Sequence, residues 1–204
     1  MESVTLTPED TAISLFAEPP DLDLATHVTS AGFVQPISHE LREDVRTHLL
    51  AGRLVYSIRT PTNPLAGYAI FRTHECLLYL AGIMLAPEIQ AKGVAKLAVE
   101  RARHDTGLQY LGLRTQSVRM WSAGRKMTKQ WLPQPTEGCH DSTLVSLGES
   151  LAKAVNCQFP VTPGYYGSPL YGEKPVHKDH RLQNWWDQLC NFERGDAVIC
   201  IGRF

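Results

Sequence analysis

Gln90, Gly93 and Ala95 stand where two kinds of sequence meet. Before them, residues 77–85, LLYLAGIML, are almost wholly apolar and have the length of a strand buried on both faces. After them, Val94, Leu97, Ala98, Arg101 and Ala102 recur with a helical period as far as residue 104. The chemistry this junction can do is capture of a phosphate anion. The opening N–H groups of a helix lack partners within the helix, its dipole is positive at that end, and a glycine at the entry lets an anion approach the backbone. Lys92 adds positive charge beside it. An ordinary strand-to-helix turn with a capping glycine has the same spelling.

Other residue types with chemistry are more scattered. Cys139 beside His140, and His177-x-x-His180, contain metal-ligating types, but no pair of pairs has finger-like spacing, so no metal is expected. Cys139 as a thiol nucleophile with His140 as its base is discounted, because adjacent side chains point apart in most backbones. Trp185-Trp186 lies on an amphipathic helical pattern, and reads as core plus a partly exposed ring or as the interface of a homodimer.

Bulk properties limit what such groups can serve. A chain of 204 residues, 43% hydrophobic, can bury one sizeable core. A net charge of -1 and a pI near 6.7 give no electrostatic reason for a nucleic acid partner. The cysteines, at 76, 139, 157, 190 and 200, are odd in number and contain no CxxC pair, which fits free thiols in a reducing cytoplasm. No apolar run nears the roughly 20 residues a membrane span requires. The opening MESVTLTPED is acidic and lacks the basic and apolar regions of a signal peptide, so a soluble cytoplasmic protein is expected.

The elements that must position the junction can be read in order. Residues 4–6 and 13–16 are short apolar pieces, either of which can open a sheet, and Asp21 caps a helix reaching about Phe33. Ser38 opens a second helix with Leu41, Val45, His48 and Leu49 on one face, and Gly52 occupies its C-cap position. Residues 53–59 alternate as a half-buried strand, residues 61–64 turn, and 65–73 return as an antiparallel partner. After the organising helix, residues 110–115 form a strand and 120–130 a short helix weakened by Gly124. Residues 131–138 read as a proline-containing linker, and Asp141-Ser142 caps a helix with Leu144, Leu147, Leu151 and Val155 on one face. Residues 159–175 read as ordered loop or bulged hairpin, 179–192 as a helix, and 197–201 as a last buried strand.

Gln90-x-x-Gly93-x-Ala95, following a strand that ends in Leu-x-Pro, resembles the Q/R-x-x-G-x-G/A signature of the GNAT superfamily of N-acetyltransferases. The run YLAGIMLAPEIQ before it is similar to that family's central strand. The resemblance implies an α/β fold: a central mixed sheet, flanked by helices on both faces, whose two parallel strands splay apart to admit the pantetheine arm of acetyl-CoA. It implies a single domain over residues 1–204, elaborated from about residue 131, and an enzyme that transfers acetyl directly from acetyl-CoA to a primary amine of a small molecule, peptide or protein.

The same resemblance assigns the parts. Backbone N–H groups of Gln90, Ala91, Lys92, Gly93, Val94 and Ala95 would hold the diphosphate, and the strand edge at Ile83, Met84 and Leu85 would pair with pantetheine and polarise the acetyl carbonyl. Relatives carry the base on the central strand or its neighbour. Residues 77–85 hold no carboxylate, so Glu75 and His74 just upstream are the candidates, acting directly or through water, or else are solvated strand-end residues. Ser117 matches a position where relatives have a cofactor-contacting asparagine and is a third catalytic candidate, while Ser122 is placed to reach the sulfur. The helix there lacks the tyrosine that protonates the leaving thiolate in relatives. Solvent, or Tyr165, Tyr166 or Tyr171 of the tail, takes that part, and these tyrosines are also the candidate substrate-binding residues. The two missing groups leave a second expectation open, a catalytically inactive CoA-binding sensor or interaction module. A transferase acting on charged tRNA is a third, against which the charge balance argues.

Overall fold

The computed structural model describes residues 5–6, 13–135 and 141–204. The chain forms two compact units, Met1–Thr73 with Leu80–Gly107, and His74–Tyr79 with Leu108–Phe204.

In the first part of the chain, β1 (Thr5–Leu6) and β2 (Ile13–Phe16) lead into α1 (Leu22–Phe33), α2 (His39–Ala51), β3 (Leu54–Arg59), β4 (Gly67–His74), β5 (Leu77–Leu85) and α3 (Val94–Thr106), all in the first unit except His74 and the opening residues 77–79 of β5. The strands stand in the order β1-β2-β3-β4-β5, and β1 with β2, β2 with β3, and β3 with β4 pair antiparallel. Caps fix the helix starts. The Asp21 carboxylate accepts from the N–H groups of Asp23 and Leu24, and Ser38 Oγ accepts from Leu41 N at 3.1 Å. Ala25, Val28, Val45, Leu65, Tyr68 and Ile70 form the core between helices and sheet. Within it Thr29 gives its hydroxyl hydrogen to Ala25 O, so the buried Tyr68 hydroxyl donates to Thr29 Oγ1 at 2.5 Å. Gly52 does occupy the end of α2, but with φ -68 it is not left-handed. Its reason is space: a Cβ there would stand 2.8 Å from methyls of Ile70 and Val55.

The second unit holds β6 (Tyr110–Thr115), α4 (Val118–Met127), β7 (Gln130–Leu132), α5 (Ser142–Ala154), β8 (Val161–Thr162), α6 (His180–Leu189) and β9 (Ala197–Arg203). The last strand is its spine. β9 pairs antiparallel with β6 from Tyr110↔Arg203 to Thr115↔Val198, and with β7 and β8 through the same residues' other edge. That makes β9 central, which explains why it is buried from Ala197 to Gly202.

Two expectations change here. Residues 130–132 are strand, not linker, because the Trp131 ring fills the room left by two glycines: a Cβ at Gly124 would lie 2.2 Å from it and one at Gly202 2.5 Å. Gly124 therefore serves packing rather than marking a weak helix, and that helix begins two residues earlier than expected, capped by Ser117. The loop over residues 159–175 is ordered, by means described below.

β5 also differs from its expectation. Residues 77–80 are buried, but each of residues 81–85 keeps part of its surface in solvent. The fold is thus a mixed α/β one with an open sheet flanked by helices.

Candidate functional site

β5 ends at Leu85, and the chain passes through a 3-10 turn at Pro87–Ile89 whose Ile89 is fully buried. Gln90 Nε2 then donates back to Leu85 O at 2.9 Å, tying the loop to the strand end. Ala91 (φ 60) and Gly93 (φ 78) are both left-handed. For a residue with a Cβ this conformation costs about 1 kcal/mol, so Ala91 is held there by its surroundings. Gly93 is the N-cap of α3, with Leu97 N bonding its carbonyl at 3.1 Å. No side chain among the described residues caps that helix end. Residues 90–93 are exposed, and a Cβ on Gly93 would meet nothing within 4 Å, so the glycine answers to the backbone angle rather than to crowding. The result is an open, positively poised set of N–H groups beside Lys92.

His74 and Glu75 lie at the opposite end of β5 from Ile83, Met84 and Leu85. Glu75 is left-handed (φ 51), and both residues converge on Ser150 of α5. Ser150 Oγ donates to Glu75 Oε1 at 2.6 Å and meets His74 Nε2 at 2.9 Å, while Nε2 and Oε1 are 3.5 Å apart. A cavity of about 350 Å³ opens beside Glu75, walled by Ser142, Thr143, Ser146 and Leu147. Six steps of an extended strand separate Leu77 from Ile83, roughly 20 Å.

The end of β6 and the tail make a second cluster. Ser117 is buried; its N donates to Thr115 Oγ1 at 2.9 Å and its Oγ accepts from Met120 N at 3.4 Å, which caps α4. Ser122 lies half-buried on the same helix. Tyr171 hydrogen-bonds Thr115, and burial pushes its phenol up to about 12, against the opposing effect of that bond. Tyr165 and Tyr166 pack edge to face, ring centroids 5.0 Å apart, around Arg114. The Arg114 guanidinium sits 4.2 Å from the Tyr165 centroid and 5.7 Å from that of Tyr166, and its Nη1 donates to the Tyr165 hydroxyl at 2.6 Å. Burial alone would lower its pKa; the phenols of Tyr79, Tyr166 and Tyr165 outweigh that and raise it.

Two buried polar residues hold this loop in place. Gln116 donates from Nε2 to Phe192 O at 3.0 Å and accepts from Leu170 N at 2.8 Å, while its carbonyl accepts from Trp186 Nε1 at 3.3 Å. Asp196, fully buried, accepts from Gly164 N and Asn191 N, each at 2.9 Å, and from the Arg194 guanidinium at 2.7 and 2.8 Å. The bond from Arg194 holds its carboxyl down to about 2, helped by the two N–H groups and opposed by burial.

Sequence reading missed Arg114, Gln116, Ser150 and Asp196. Only Arg114 carried a signal, a lone charge inside the apolar strand YLGLRT. Trp186 is buried, and the half-buried Trp185 packs against Trp121 with centroids 5.0 Å apart and the rings tilted by 57°. His177 Nδ1 accepts from Asp179 N at 3.0 Å, a local turn contact. Cys139 and His140 lie outside the described residues. Cys76, Cys157, Cys190 and Cys200 are free thiols. Among the described residues no group of three or more His, Cys, Asp and Glu side chains gathers to hold a metal, and no helix is long and apolar enough to cross a membrane.

No protein-family model matches the sequence, and no curated protein matches it either. Solved structures do. The chain is similar to the IAA acetyltransferase from Bacillus cereus ATCC 14579, at 14% identity and a TM-score of 0.55, over 94% of this chain and 99% of that one. It is similar also to a GNAT family acetyltransferase from Elizabethkingia anophelis with acetyl-CoA bound, at 12% identity and a TM-score of 0.51, over 94% and 98%. The chain shares the fold of these two acetyltransferase structures.

Proposed function

We propose that this protein is an acetyl-CoA-dependent N-acetyltransferase that passes the acetyl group directly to a primary amine. The observation that carries the reading is the strand, left-handed loop and uncapped helix start at β5, Gly93 and α3. An N-terminus left open by its own chain, and approached through a glycine in open space, suits a diphosphate. N–H groups over residues 90–95 would hold that diphosphate, and the solvent-touching half of β5 at Ile83, Met84 and Leu85 would align the pantetheine arm as an added strand.

Bound acetyl-CoA supplies a thioester whose C–S bond breaks as the amine nitrogen forms a C–N bond to the acetyl carbon. A backbone N–H of residues 83–85 polarises the carbonyl oxygen. The amine gives up its proton to water, since Glu75 and His74 are engaged by Ser150 at the far end of the strand. The departing thiolate, a fair leaving group, takes a proton from solvent.

Incubation with acetyl-CoA and a panel of primary amines, with thiol release followed, tests this. Release that depends on an amine supports transfer. Failure to bind CoA at all overturns the reading. Tight CoA binding without release for any amine would favour the inactive CoA-binding module, for which the missing strand carboxylate speaks.

A further inference from the structure

Arg114, in the second unit, is surrounded by phenols. Arg42, Arg46, Arg101 and Arg194 each meet a carboxylate at hydrogen-bond distance. Arg114, inside an apolar strand, has no carboxylate partner among the described residues. Its Nη1 is taken by Tyr165, the ring of that tyrosine lies against its face, and its Nε is buried with no acceptor. Taking a guanidinium out of water without an anion is costly, and a donor left unmade adds to that cost. The strand backbone and the two rings fix its plane, so the cost of ordering it is already met before any ligand arrives. Arg114, Tyr165 and Tyr166 are each only half-buried, so the cup reaches solvent. A planar fork with spare donors, pre-set among amphipathic aromatic walls, is complementary to a carboxylate carried on an apolar skeleton.

We propose that Arg114 binds the carboxylate of the acceptor, with Tyr165 and Tyr166 as its walls, so that the amine substrate is a free amino acid. This rests on the N-acetyltransferase reading and names its substrate class. The phosphate-holding loop plays no part in the argument, which keeps the two claims separable.

The test compares the proteinogenic L-amino acids with their carboxamides as acceptors, measuring kcat and KM for each pair. The carboxamides have the less basic amines, so intrinsic reactivity at neutral pH runs against the expected result. For the acceptors that turn over, the free acid should exceed its carboxamide roughly 10- to 100-fold in kcat/KM, with the difference in KM. In Arg114→Gln that ratio should collapse toward one, and Arg114→Lys should restore part of it. A wild-type ratio near one, or a ratio that survives Arg114→Gln, overturns the proposal. Calorimetric titration with the same amino acids and carboxamides, without acetyl-CoA, covers the case of no turnover. Acid-selective binding there supports the Arg114 site while the transferase reading fails, and absence of any acid-selective binding overturns it. If Arg114→Gln does not fold, the wild-type ratio decides, and Tyr165→Phe, which removes only the hydroxyl that holds Nη1, should lower it a few-fold.

Discussion

The loop that opens α3 and the cup around Arg114 are built from opposite materials. The first is made of backbone: two left-handed residues, Ala91 and Gly93, lead into the N–H groups that open α3. The second is made of side chains brought from β6 and from a loop some fifty residues later, held by Gln116 and Asp196. Backbone sites are robust to sequence drift but depend on one or two dihedral angles. Side-chain sites depend on remote struts.

That contrast predicts where each region breaks. The largest loss is expected in the second. Asp196→Ala strands the N–H groups of Gly164 and Asn191, and should cost about 3 kcal/mol, lowering the melting temperature by roughly 6–12 °C in a chain of this size. Because the folded carboxyl titrates at about 2, below its unfolded value near 3.9, the folded state binds fewer protons at Asp196 between those values. The stabilisation is full above about pH 4 and lost as pH falls through 2. Acid unfolding of Asp196→Asn should therefore lack this contribution to the acid limb. An unchanged acid limb would show that Asp196 is not the strut.

The backbone site should fail at Gly93 instead. Gly93→Ala and Gly107→Ala place the same methyl on left-handed residues with open space, at opposite ends of α3 (φ 78 and φ 69). Each should lose about 1 kcal/mol of stability. Only Gly93→Ala should also lose CoA affinity, by roughly 10- to 100-fold, measured by calorimetry. Equal effects on affinity would mean that α3 matters only as a rigid element.

The reason one region was legible and the other was not lies in range. Caps, turns and left-handed entries are decided within a few residues, so Asp21, Ser38, Asp141 and the Gly93 junction were readable from spacing. β7 was hidden because its cause is a fit between Trp131 and glycines on α4 and β9. Arg114 is a lone charge in the strand YLGLRT, and nothing there points to tyrosines in a later loop. Glu75 and His74 were nominated by nearness in sequence to β5, whose length then separates them from its other end.

Smaller effects sharpen the picture of the scaffold. Gly124→Ala forces the Trp131 ring to move and should cost about 2 kcal/mol, visible as a lower melting temperature. Tyr68→Phe removes the hydrogen bond to Thr29 inside the first unit's core, and should cost about 1 kcal/mol in chemical denaturation, with no change in CoA affinity.

The most direct measurement is a titration of isotope-labelled protein with CoA, following backbone amide resonances. The account expects saturable binding in which the amides of Gly93, Val94 and Ala95 shift most. Saturable binding that leaves those three amides unmoved, or no binding at all, would contradict it.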